Sequence, residues 1–368
     1  PGTGWDAACQ SIQAAIDKTV DGDVVLVTNG VYNVGVGHTG YGYSRIGITN
    51  AITVRSVNGA AETVIEGVRF GLPGLVRCAF LSAGRLEGFT LQGGSTLPDV
   101  GKNHGGGVYA LSTNAVVADC VIRNCEASYG GGVSGGSVTN CQITGNEGKE
   151  RGGGAYDAEV VDSLLRYNGT GTEGRGAGVS NSRLLRCDLA NNVALYGGGA
   201  YQSSLRHCRL RGNTATEDGG GAYQCSLTDS QVSGNESGDD GAGLCDGAAT
   251  NCLVKGNSAK GKGGGSSGGT LVNCTVTQNR AADTSGAYGS VELAGGGTYS
   301  SALLNCIVNN NRNGLDYGDD ISYGSASSTT TSDPKFRLPD AEDYRLLAGS
   351  SCLDSGQTNY NASAVDFY

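Results

Sequence analysis

The chain has 368 residues, 65 of them glycine and only 5 proline, with aromatics at 6% and a formal net charge of -10. Low aromatic content and periodic glycine argue against a helical bundle, and the acidic balance argues against a protein that wraps nucleic-acid phosphates. No run of about 18 apolar residues is present, so no transmembrane helix is expected. A secretory leader, if the chain had one, would already have been removed before Pro1.

Asp6 to Val20 reads as a short amphipathic helix, with Ile12, Ile16 and Val20 on one face. Asp21-Gly22 is a turn signal, and Asp23 to Thr28 is a compact apolar strand. A helix followed at once by such a strand suits a lid over the open end of a stacked β-structure, where strand edges would otherwise be exposed. Less regular strands follow at 52–57, 63–68, 75–83 and 86–91, with Leu86, Phe89 and Leu91 in core positions. Ser95 to His104 then reads as an inserted loop.

From Gly105 to Asn311 one unit of about 22 residues recurs. Its clearest copies are GGGAYQSSLRHCRLRGNTATED (197–218) and GGGAYQCSLTDSQVSGNESGDD (219–240). Column one holds Val117, Val138, Val160, Leu184, Leu205, Leu227, Ala249, Leu271 and Leu303. Three residues on stand Cys120, Cys141, Ser163, Cys187, Cys208, Ser230, Cys252, Cys274 and Cys306. Two further on stands column two: Ile122, Ile143, Leu165, Leu189, Leu210, Val232, Val254, Val276 and Val308. A spacing of two is strand alternation, and the spacing of three demands a one-residue bend. The bend residue is mostly Asn or Asp (Asp119, Asn140, Asp162, Asp229, Asn251, Asn273, Asn305), types that tolerate a left-handed backbone; Arg186 and His207 take the same place. An Asn closes most units, from Asn146 to Asn311, with Cys125 in that slot in the first. Stacked amides there would bond from rung to rung.

The expected fold is therefore all-β: a single domain forming a right-handed parallel β-helix with three strands per coil and an N-terminal capping helix. Its parts would be a cap at 1–24, irregular coils at 25–104, regular repeats at 105–311 and a capping segment at 312–368. Asp333 to Gly356 should carry one or two strands, and Ala281 to Ala294 should project as a loop.

These residues resemble the pectate-lyase-like superfamily of right-handed parallel β-helix proteins. The leading segment CQSIQAAIDKTVDGDVVLVTNGVY is similar to that of many secreted members. The GGG-A-Y and C-x-V-x-x-N units are similar to repeats of secreted bacterial surface β-helix proteins and of polymorphic outer-membrane adhesins. The tail DPKF…DYRLLAGSSCLDSG resembles the end of such surface proteins. The resemblance implies the fold and a secreted or cell-surface location. It implies no single activity, because the superfamily holds lyases, hydrolases, esterases, epimerases and non-catalytic adhesins.

Most of the 13 cysteines fall in one repeat column where serine also occurs, which suits buried core fillers better than a disulfide framework or zinc. Tyr109, Tyr156, Tyr201, Tyr223 and Tyr299 each lie two residues after the third glycine. Outward rings along a face suit stacking on sugars. Charged residues gather at the corner before each glycine run: Lys149, Glu150, Arg151, Glu173, Arg175, Glu217, Asp218, Asp239, Asp240, Lys260 and Lys262, with Asp157 and Asp246 just after the tyrosine slot. Glu217, Asp218, Asp239 and Asp240 are a candidate calcium site, with Arg175 as a nearby cation. The leading expectation is a binding face for an extracellular polysaccharide or other glycan, formed by the five tyrosines with Asp157, Asp246 and Arg175. A calcium-assisted lyase of a uronate polymer, a glycoside hydrolase, and an adhesion stalk with a protein partner remain alternatives.

Overall fold

A computed structural model describes residues 5, 8–38, 40–69, 74–96, 103–282, 294–313, 320–338, 343–346 and 350. The chain divides into two compact units, Pro1–Ala194 and Leu195–Tyr368. Most of the 281–294 loop, the middle of the 95–104 insertion and much of the 333–356 segment lie outside the described residues.

Each unit is a stack of parallel coils of about 22 residues. In the first unit the column-one strands run Val116–Ala118, Ser137–Thr139, Glu159–Val161 and Arg183–Leu185, pairing in parallel with Val117 opposite Val138, Val138 opposite Val160 and Val160 opposite Leu184. The column-two strands pair in the same way, Ile122 to Ile143 to Leu165 to Leu189. In the second unit Leu205, Leu227, Ala249, Leu271 and Leu303 form column one, and Leu210, Val232, Val254, Val276 and Val308 form column two. All these side chains are buried. Parallel strands joined by such coils take the right-handed crossover.

All nine expected bend residues have positive φ, between 50° at Asp229 and 53° at Asp119. Arg186 (φ 53°) and His207 (φ 51°) adopt this conformation despite their longer side chains. The adjoining Cys or Ser then satisfies the bend. Ser163 Oγ accepts the Cys141 N–H at 3.0 Å and donates to Val161 O at 2.8 Å, while Cys187 Sγ donates to Val160 O and Leu185 O, each at 3.4 Å.

The closing asparagines form a buried ladder. Asn146 Nδ2 donates to Ile122 O (3.0 Å) and to Asn168 Oδ1 (3.1 Å), and Asn168 Oδ1 also takes the Asn146 N–H. Asn168 repeats the pattern with Ile143 O and Asn192. In the second unit the same bonds run through Asn213, Asn235, Asn257, Asn279 and Asn311. The last ends on Asp320 Oδ1, which accepts the Asn311 N–H at 3.0 Å and its Nδ2 at 2.8 Å.

Three features depart from expectation. A fourth short strand occupies the corner after the Asn, as at Glu147–Arg151, Gly169–Thr170 and Glu236–Ser237, so these coils have four strands where three were expected. The helix is only Ile12–Ile16, capped by Ser11 Oγ on the Ala14 N–H. Val20 is exposed outside it, while Ile12 and Ile16 are buried and Gln13 bonds to Gly47 of the next coil. The coil pattern also persists past Asn311, where Ile321–Ser322 pairs with Thr298–Tyr299 and Ser325–Ser327 pairs with Ala302–Leu304. Beyond it Phe336–Leu338 and Asp343–Leu346 make the expected terminal strands as an antiparallel pair.

The glycine triplet is sterically required. Gly130 has φ +65°, and a Cβ on it would lie 2.2 Å from Val133 O; on Gly132 a Cβ would lie 2.6 Å from Gly154 O and 3.1 Å from Asn146 Nδ2. A third sheet leaves the triplet, bearing an inward Ala or Val and then the tyrosine slot.

Candidate functional site

The tyrosine slot lines up along its sheet within each unit. In the first the order is Phe80, Tyr109, Ser134, Tyr156, Ser180; in the second it is Tyr201, Tyr223, Cys245, Ser267, Tyr299 and Ser322. A second column accompanies it, formed by the residue just before each triplet. That column reads His104, Tyr129, Arg151, Arg175 in the first unit and Tyr196, Asp218, Asp240, Lys262 in the second.

The two columns interlock with a one-rung offset. His104 Nδ1 bonds to Ser134 Oγ at 3.0 Å, on the next rung. The Tyr129 ring meets Tyr156 at 5.1 Å and Tyr196 meets Tyr223 at 5.4 Å, again one rung on. Asp240 Oδ2 takes a bond from Ser267 Oγ at 3.5 Å, and Lys262 Nζ lies 4.8 Å from the Tyr299 centroid and 3.4 Å from its hydroxyl. The geometry follows from the sharp corner: the pre-triplet side chain leaves just before the chain turns, and leans along the stack. Sequence reasoning saw the charges in this column but not that His104, Tyr129 and Tyr196 share it. The signal available was the constant spacing of five residues to the tyrosine slot.

In the first unit the rings gather into one cluster. His104 stacks on Tyr109 (5.2 Å, 19°) and on Tyr129 (5.1 Å, 21°), and Phe80 meets both Tyr109 (5.9 Å) and Tyr41 (5.3 Å). Beneath lies Arg77, 1% exposed, bonded to the carbonyls of Tyr41 (2.8 Å), His104 (3.2 Å) and Gly105 (3.3 Å), its guanidinium 5.4 Å from the Tyr109 centroid. Burial lowers the Arg77 pKa to about 10. Burial, followed by the Arg77 charge, lowers that of His104 against the opposing pull of Asp157 and Glu150. The Tyr129 hydroxyl donates to Glu150, which is the main reason its pKa is raised.

In the second unit Tyr201 and Tyr223 stack at 5.5 Å with planes 1° apart. Tyr201, expected as an outward binding ring, is 7% exposed; the other four expected rings are half-buried. Stacked rings cover each other's faces and offer water only their edges, so a continuous tyrosine platform does not form. After Tyr223 the slot holds small side chains, Cys245 and Ser267, before Tyr299 returns three rungs on, about 14 Å away at the usual strand spacing. This interruption places two small, buried side chains, Cys245 and Ser267, between two rings. Asp218, Asp240, Asp246 and Lys262 border it. Burial and then the Cys245, Asp246 and Asp218 charges push Tyr223 up to about 12.

The acids are committed to the corner. Asp218 Oδ1 accepts the Asp240 N–H at 2.9 Å, and Asp240 Oδ1 accepts the Lys262 N–H at 2.6 Å. Burial raises the pKa of both. Glu217 and Asp239 are exposed beside them. Among the described residues no group of three or more His, Cys, Asp or Glu is placed to hold a metal ion. Asp157 and Asp246 are left-handed bend residues (φ 52° and 51°), and Asp157 Oδ1 accepts from Asn181 Nδ2 at 3.1 Å. Arg175, in the first unit, is half-buried and bridges to Arg151 through the backbone. His207 Nε2 lies 3.9 Å from Asp229 Oδ2, the bend residue of the next coil.

No protein-family model matches the sequence, and no curated protein matches it. Among solved structures the chain is similar to pectate lyase Pel9A (TM-score 0.42, 13% identity, covering 100% of this chain and 90% of that one). It is similar to the A-module of the Azotobacter vinelandii mannuronan C-5 epimerase AlgE6 (0.41, 15%, 88% and 94%) and to PfbA, a surface adhesin of Streptococcus pneumoniae (0.36, 9%, 87% and 86%). The chain is a parallel β-helix. At these identities the likeness is one of fold, and the register of its own strands establishes that fold independently. Among the described residues no helix is long and apolar enough to cross a membrane.

Proposed function

We propose that this is a secreted or cell-surface β-helix protein that binds an extracellular glycan along the face made by the two interlocking columns. The observation that carries this reading is the end of the Tyr201–Tyr223 stack at Cys245 and Ser267. A ring at a stack's end has one face uncovered by its neighbour, and a pyranose presents apolar C–H groups to such a face. Hydroxyls of the same sugar would meet Asp240, Asp246 and Lys262, which border this break in the tyrosine column. Edge-on rings elsewhere supply polar contacts without further stacking. The acids that a lyase would use to hold calcium instead accept backbone N–H groups, which favours binding over elimination at this face.

A glycan array followed by titration of hits tests the reading. Tyr223→Ala should weaken binding of a hit at least tenfold with the coil fold intact by circular dichroism. Incubation with the same polymer should release no unsaturated or shortened product. Unchanged affinity of Tyr223→Ala would remove this ring from the binding face, and product formation would replace binding by catalysis.

A further inference from the structure

The amide ladder of the first unit stops at a cysteine. Cys125 occupies the Asn position of its coil, and its N–H donates to Asn146 Oδ1 at 3.0 Å as an Asn would. One rung earlier Leu91 lies opposite Ile122, so the matching position is Gly94. No side chain fills that place from its own coil. A Cβ on Gly94 would lie 2.9 Å from Cys78 Sγ, so the sulfur of Cys78 stands where the ladder side chain would be. Cys78 comes from a different sheet, on the strand Arg77–Leu81.

The two thiols converge on one place. Cys78 Sγ donates to Gln92 O at 3.3 Å and Cys125 Sγ reaches Leu91 O at 3.8 Å, consecutive carbonyls of the same strand. Cys78 N–H bonds to Gly106 O, and a Cβ on Gly107 would lie 3.3 Å from Cys125 Sγ, so both are lodged against the same triplet. Both residues are buried, at 0% and 1% exposure. The column cysteines differ. Cys120 and Cys141, or Cys274 and Cys306, leave equivalent positions of successive strands with parallel Cβ directions, which disfavour a disulfide. Their thiols donate to the bend carbonyls that serine serves elsewhere.

We propose that Cys78 and Cys125 are a modification site: a latent disulfide that closes when the chain folds in an oxidising compartment. The oxidant is a small disulfide such as oxidised glutathione. One protein thiolate attacks a glutathione sulfur and releases a glutathione thiolate. The second protein thiolate then attacks the mixed disulfide, forming the Cys78–Cys125 bond and releasing the other glutathione. Two protein S–H bonds are lost, one S–S bond forms, and the two electrons reduce oxidised glutathione to two thiols. Burial, then the hydrogen bond with Cys125, holds the Cys78 thiol well above the ordinary range. Thiolate is therefore scarce once the coils are closed, and the exchange belongs to folding.

The test uses the wild-type chain, refolded from denaturant in a glutathione redox buffer, alkylated, digested without reductant and mapped by mass spectrometry. The expected result is a linked pair of peptides carrying Cys78 and Cys125, lighter by two hydrogens, and a urea midpoint that falls when reductant is added. A Cys78→Ser, Cys125→Ser double variant should lose that reductant sensitivity; should it fail to fold, the wild-type map decides alone. Recovery of both cysteines in alkylated form, or linkage of column cysteines in their place, overturns the proposal.

Discussion

The rings of Tyr201 and Tyr223 lie 5.5 Å apart and within 1° of parallel, yet one is nearly enclosed and the other half-exposed. Identical residues one coil apart therefore have different duties. Tyr201→Ala should leave a cavity and cost about 3 kcal/mol of stability. Tyr223→Ala should cost less stability and more glycan affinity. Urea denaturation of the two variants beside the binding titration separates the effects, and equal losses in both assays would contradict the assignment.

The Asn168 side chain makes four ladder bonds within the first unit and is 1% exposed. Replacing it with Ala leaves the Asn146 N–H and the Ile143 carbonyl buried without their ladder partner. The expected cost is roughly 2–4 kcal/mol, from two unsatisfied groups at 1–3 kcal/mol each. Thermal unfolding should show a drop far larger than for the exposed bend residue Asn140→Ala.

Cysteine and serine are interchangeable in the column after the bend because both donate to the carbonyl two residues back. Cys187→Ser should change stability by less than about 1 kcal/mol, whereas Cys187→Leu overfills a closed site and should cost about 1–3 kcal/mol. A large loss with serine would mean that the sulfur itself matters there.

His207 holds a left-handed bend at φ 51° with a side chain that only weakly approaches Asp229. L-residues other than Gly pay about 1–2 kcal/mol for that conformation, and glycine's extra chain entropy takes back about 0.5–1 kcal/mol. His207→Gly should therefore raise the urea midpoint slightly, and a fall would show that the imidazole makes a stabilising contact.

Two pH dependences follow from the shifted groups. His104 has a lowered pKa, chiefly through burial, so its contribution to stability is present above the ordinary histidine value of about 6.5 and is lost as pH falls through its folded value. An NMR titration of the ring should give a midpoint below that of a free histidine. Asp240 has a raised pKa, again chiefly through burial, so its contribution is present below about 3.9 and is lost as pH rises through the folded value. Asp240→Asn keeps the acceptor for the Lys262 N–H and should stabilise the protein at pH 7 but not at pH 3.

Column one, the Cys/Ser column, column two and the bend were legible in the sequence because each is dictated by a local rule repeated at fixed spacing. An inward strand residue must be apolar, and a left-handed bend favours Asn or Asp. The corner strand was not legible: Gly169–Thr170 and Glu236–Ser237 are two residues long and have no alternation to read. The helix reading ran past its true end because Val20 fits the helical spacing but follows the turn after Ile16. The tyrosine slot was placed correctly along the chain, but which way its rings face depends on the residue five positions earlier and one coil away. Nothing in a single repeat reports that contact. The acids at 217–218 and 239–240 read as metal ligands because composition cannot reveal that Asp218 and Asp240 each serve the following coil's backbone.

The asparagine ladder also has a direction. Each amide gives one hydrogen to the next asparagine toward the C-terminus and the other back to a carbonyl of the preceding coil, while its oxygen receives from the coil before it. Asp320 ends this in the second unit, because an ionised carboxylate accepts the last hydrogens and has none to hand on. A single acidic residue thus closes the run of amides, while the strands beside it carry on into one more coil.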